Sequence, residues 1–153
     1  MAAFKKKAIR LVNAMNATRG ALGQMNDKIS SYKAATKAFP AAEANDMMKE
    51  VLALEAKVRD LNIRLNGDSD YNRLDLDAPY STRQRAQNAL FDVFGSTANI
   101  TGTSEAGYDI AADEFGPILA DVKSLMKDFD QMDNKLGSSG APLTPGRLPD
   151  WKK

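Results

Sequence analysis

Apolar residues along the chain recur in alternating steps of four and three. In the first segment they are Phe4, Ala8, Leu11, Met15, Thr18, Leu22, Met25, Ile29, Tyr32, Thr36 and Phe39. That spacing is a heptad seam on one face of a helix, and no stretch shows the period of two that a strand requires. Ile9 and Val12 widen the stripe, and Pro40 ends it because proline disfavours helical geometry in the residue before it. Gly20 and Gly23 each weaken the helix by about 1 kcal/mol relative to alanine, and they would allow a close backbone approach.

A second seam follows at Ala44, Met47, Val51, Leu54, Val58, Leu61 and Leu65, with Asn66-Gly67 as its stop. The short separation at Phe39-Pro40 predicts an antiparallel helical hairpin. Residues 67–80 read as a polar loop. Ser81 and Gln84 then form a capping box, with Ser81 as N-cap and Gln84 at N3. The shorter helix behind it places Ala86, Leu90, Val93 and Phe94 on its apolar side. The last seam starts near Thr101 or Thr103. It runs through Tyr108, Ala111, Phe115, Ile118, Val122, Leu125, Phe129, Met132 and Leu136. Pro117 lies inside it and predicts a kink without a break, since only one backbone hydrogen bond is lost.

The expected fold is all-α: an antiparallel four-helix bundle with helices at about 4–39, 41–66, 82–95 and 103–136. Its crossings should be left-handed, near 20°. Residues 137–153 are too rich in proline and glycine for a helix, and this tail is expected to pack on the bundle through Leu143, Leu148 and Trp151. Heptad seams also self-associate, so a homodimer is compatible with the pattern.

Composition narrows the chemistry. The 153 residues contain no cysteine and no histidine, which excludes disulfides, thiolate chemistry and the usual general base and transition-metal ligand. No catalytic, cofactor-binding or metal-ligating residue and no cofactor is assigned, and a non-enzymatic role is expected. No stretch is apolar enough for a signal peptide or a membrane span.

The net charge of +1 hides a strong asymmetry. Residues 1–39 carry +7, 40–66 carry −1, 67–102 carry −2, 103–136 carry −5 and 137–153 carry +2. A basic first helix and an acidic last helix are expected to lie side by side and screen each other. Lys5, Lys6, Lys7 and Arg10 are the candidate interaction residues of the first helix, and Arg147 and Trp151 those of the tail. The basic cluster would suit phosphates of a membrane surface or a nucleic acid, but a near-neutral chain is not expected to be a nucleic-acid domain.

Other motifs carry less. Asp68, Asp70 and Asn72 have the one-three-five spacing of a calcium loop, but the sixth and twelfth positions are Arg73 and Pro79 where glycine and glutamate are needed. Asp109, Asp113 and Glu114 read as a solvated acidic face before they read as paired acid and base. Met15, Met25, Met47 and Met132 sit on the seams and are assigned to core packing.

Several stretches resemble a known family. They are Gly67-Asp68 after the second helix, Pro79-Tyr80-Ser81 with Arg85, and 108–115 (Tyr-Asp-Ile-Ala-Ala-Asp-Glu-Phe) followed by Pro117 and Leu119. The most specific is 140–151, Gly-Ala-Pro-Leu-Thr-Pro-Gly-Arg-Leu-Pro-Asp-Trp. Residues 25–29, Met-Asn-Asp-Lys-Ile, add a weaker likeness. Together they resemble the C-terminal helical region of large bacterial proteins with sortilin-like BNR/Asp-box β-propellers, usually labelled glycosyl hydrolases. The resemblance implies a C-terminal accessory module of an exported protein, with upstream propeller domains of the same parent chain, or another protein, as partners. The Asp-box repeat, Ser-x-Asp-x-Gly-x-x-Trp, does not occur in the chain, so any hydrolase activity would belong to the propellers. The alternative is a free-standing module that uses the basic first helix on an anionic partner. A carboxylate enzyme or carbohydrate-binding domain ranks last.

Overall fold

The computed structural model describes residues 2–39, 41–74, 76–95 and 100–140. Those residues are all-helical, with five helices and no strand among them: α1 (Ala2–Thr36), α2 (Ala41–Asn66), α3 (Ser69–Arg73), α4 (Thr82–Gly95) and α5 (Gly102–Ser138). None of these helices is long and apolar enough to cross a membrane. The tail beyond Gly140, with Arg147 and Trp151, lies outside the described residues, as does Pro40.

The seams form the core. Met15, Leu22, Met25, Ile29 and Tyr32 of α1 pack with Met47, Val51, Leu54, Val58, Leu61 and Leu65 of α2, and with the α5 row from Ala111 to Leu136. The four seam methionines are all buried. In α1 the buried position is Val12, and Leu11 only packs against the core from its edge. α1 ends at Thr36, and Ala38 and Phe39 donate backbone hydrogen bonds to the carbonyls of Ala35 and Thr36 as the chain turns.

Cross-helix contacts give the directions. Phe4 meets Tyr108 and Tyr32 meets Phe129, so α1 and α5 run the same way. Lys57 pairs with Asp128 and Arg64 with Asp121, so α2 opposes α5. α4 also opposes α5, because Thr82 bonds to Glu114 and Asp92 to Ser104. A 14-residue helix is about 21 Å long and a 37-residue helix about 55 Å. α4 therefore accompanies only the first part of α5. Beyond Phe115 the core is shared by α1, α2 and α5.

Four expectations change. The 67–80 stretch is not a plain loop: Asp68 Oδ1 accepts from the Asp70 amide at 2.9 Å and starts the short helix α3. Gly20 and Gly23 make no close approach, since a Cβ on either would meet nothing within 4 Å. Phe94 is not a core residue of α4; it is 56% exposed, and Ala89 holds the inward position. Apolar residues are not all consumed by the core either, for Phe91 is 72% exposed and Leu74, Leu76 and Tyr80 are also open to solvent.

The charge asymmetry resolves differently from the simple pairing of first and last helices. α1 and α5 are neighbours, but Lys28–Asp133 at 2.7 Å is the ion pair between them among the described residues. The acids of α5 mainly meet α2, through Lys57–Asp128 at 2.7 Å and Arg64–Asp121 at 2.6 Å. Lys135 of α5 and Glu50 of α2 form a further pair with the signs reversed.

Candidate functional site

Two regions stand out against this frame. The first lies where the start of α1, the end of α4 and the start of α5 meet. Thr101 caps α5 by accepting from the Ser104 amide, and the Ser104 hydroxyl bonds to Asp92 of α4 at 2.6 Å. This ties the two helix ends together and turns Phe91 and Phe94 outward. Phe4 packs edge-on against Tyr108 at 5.3 Å between centroids, which sets the start of α1 beside them.

Lys5 Nζ sits 3.9 Å from the centroid of the Phe94 ring, a cation–π contact. Lys6, Lys7 and Arg10 are exposed, and none of the four cations forms an ion pair among the described residues. The structure thus brings the candidate residues of α1 together with two exposed phenylalanines that the helical period had assigned elsewhere or left unassigned. Arg147 and Trp151 lie outside the described residues.

The second region is a cavity of about 1020 Å³ at the other end of α4, between the end of α2, α3 and its following loop, and the start of α4. Its frame is well tied. Ser81 Oγ accepts from the Gln84 amide at 3.2 Å, the N-cap bond expected of that pair. The Thr82 hydroxyl lies 2.6 Å from Glu114 and 3.2 Å from the Arg64 carbonyl, which joins α4 to α5 and α2. Gly67 takes φ +85°, a left-handed C′ position that lets the chain leave α2 and pass close to Ser81.

Tyr71, Leu76, Pro79 and Tyr80 form an apolar and aromatic wall of this cavity, facing Arg85 and Asn66. Among the described residues, two buried side-chain polar atoms have no hydrogen-bond partner, Asn66 Oδ1 and Arg85 Nε, and both residues line this cavity. Composition pointed to neither. A shallower groove of about 480 Å³ between α2 and α5 is lined by Lys57, Asp60, Arg64, Asp121 and Asp128, whose charges already pair with one another.

The calcium-like triplet is used structurally: Asp68 starts α3, and Asp70 pairs with Arg73 at 3.2 Å. Asp109 and Asp113 are exposed on α5, while Glu114 is engaged by Thr82. No family model, curated protein or solved structure matches the chain.

Proposed function

We propose that the chain is a non-catalytic structural and interaction module. In this reading α1, α2, α4 and α5 constitute a four-helix bundle, with the Pro-rich tail 137–153 packed on it. The module serves as the C-terminal accessory domain of an exported sortilin-like β-propeller protein, and docks on an acidic face of the propellers or of another protein.

The observation that carries the docking role is the basic and aromatic end of the molecule. Phe91 and Phe94 stand exposed beside Lys5, Lys6, Lys7 and Arg10. Exposed aromatics rimmed by cations match the composition of protein interfaces, where apolar anchors supply affinity and charge sets orientation. The stretch 140–151 is what favours the propeller parent.

Lysine-directed crosslinking of the full product of the encoding gene tests this reading. Crosslinks from Lys5, Lys6 or Lys7 to an upstream propeller are the expected result. A gene product without propeller repeats sinks the parentage, and glycosidase turnover by the isolated chain sinks the non-catalytic claim.

A second reading is a free-standing module on an anionic surface, favoured by the absence of ion pairs on Lys6, Lys7 and Arg10 among the described residues. Cosedimentation with phosphatidylserine vesicles, weakening steeply as salt rises, would support it over protein docking.

A further inference from the structure

The two unpartnered buried atoms open a separate question. A buried polar atom without a partner costs about 1–3 kcal/mol, so native proteins leave few of them. Here Asn66 Oδ1, an acceptor, and Arg85 Nε, a donor, are both unsatisfied and both belong to residues lining the same cavity. They come from different helices, α2 and α4, so a local distortion of one turn does not explain both. Their needs are opposite: one site asks for a hydrogen donor and the other for an acceptor.

The charges around them refine the demand. Arg64 is already paired with Asp121, whereas Arg85 has no ion pair among the described residues. An arginine with free Nε–H and Nη–H groups presents a planar fork that matches a carboxylate side-on. Asp68 and Asp77 also line the cavity, so its acidic side favours a cation and disfavours a simple anion. Tyr71, Tyr80, Pro79 and Leu76 supply faces for an apolar body. A volume of about 1020 Å³ exceeds what one amino acid fills and accommodates a dipeptide.

We propose that this cavity binds a small zwitterion of the amino-acid or dipeptide type. The ligand's carboxylate takes the Arg85 guanidinium, and its amino group donates to Asn66 Oδ1 on the acidic side. Its apolar side chain lies against Tyr71 and Tyr80. The cavity is one length of α4 away from Phe91 and Phe94, so this binding is independent of the docking end and of the parentage proposed above.

Amide-resolved NMR titration of the intact chain provides the test, with L-phenylalanine and glycyl-L-phenylalanine as probes. Saturable shifts at Gly67, Ser69, Tyr80 and Arg85 are expected for at least one of them. Phenethylamine lacks the carboxylate and 3-phenylpropionate lacks the amino group; each should bind about tenfold more weakly or worse. Arg85→Met should weaken the zwitterion by a similar factor. Because that change touches a partly buried residue, Tyr80→Ala, at an exposed wall position, is the second variant and should weaken binding while the spectrum stays folded. Absence of saturable shifts with both zwitterions, or equal affinity for the two single-charge controls, overturns the proposal.

Discussion

The Tyr32 hydroxyl lies 2.5 Å from Asp133 Oδ1, across the contact between α1 and α5. The tyrosine is fully buried and its ring lies against Phe129 at 5.8 Å between centroids. Asp133 also receives Lys28 at 2.7 Å. A tyrosine on a heptad seam must bring its hydroxyl into the core, and the carboxylate just off the α5 seam supplies the acceptor. Tyr32→Phe keeps the packing and removes that bond. It should cost about 1–2 kcal/mol, read from urea unfolding with an unchanged m-value. A double-mutant cycle with Asp133→Ala should show coupling; strict additivity would mean the contact contributes nothing.

Glycines on the same helix face opposite demands from one at a turn. Gly20 and Gly23 are helical with open space where a Cβ would stand. Alanine at either should raise stability by about 0.4–1 kcal/mol, through propensity and a less disordered unfolded chain. Gly67 has φ +85° and would bring a Cβ to 3.3 Å from Ser81 Cβ. Gly67→Ala should therefore destabilise by about 1 kcal/mol or more. Thermal melts of the three variants check the sign of each effect, and a stabilising Gly67→Ala would contradict the left-handed cap.

Core and surface leucines of α2 should part company. Leu65 is fully buried in the shared core, and Leu65→Ala should cost about 2–5 kcal/mol. Leu52 is 46% exposed, and Leu52→Ala should stay within about 0.5 kcal/mol. Equal losses in chemical denaturation would mean that the face of α2 is wrongly placed.

The ion pairs between α2 and α5 orient more than they stabilise. Both partners of Arg64–Asp121 are solvent-accessible, as are those of Lys57–Asp128. Pairs of this kind contribute about 0–1 kcal/mol each and are screened by salt. Asp121→Asn and Asp128→Asn should each lower stability by less than about 1 kcal/mol at low salt, and the loss should shrink at high salt.

Most of the core was legible because a heptad seam commits nearly every third or fourth residue to one face. The α2 row from Met47 to Leu65 and the α5 row from Ala111 to Leu136 are buried position for position. The short α4 was less legible. Fourteen residues offer few turns over which a period can be averaged, so Phe94 was placed on the apolar side although Ala89 occupies it. The short helix α3 was hidden by polar residues that carry no period at all.

Neither candidate region could be read from local pattern. Lys5 and Phe94 are far apart in the chain, and so are Asn66 and Arg85; nothing in local spacing links either pair. By itself the sequence determined that the chain is helical, where the long helices run and which faces they bury, because helix periodicity and burial are local and additive along one segment. Only the tertiary structure decided which helix neighbours which charges. It also decided that α4 is too short to follow α5 to its end, and that the ends of α4 carry an exposed aromatic patch and a polar cavity. Those outcomes depend on how helices of unequal length meet in space, and contacts between distant segments leave no periodic mark on the sequence.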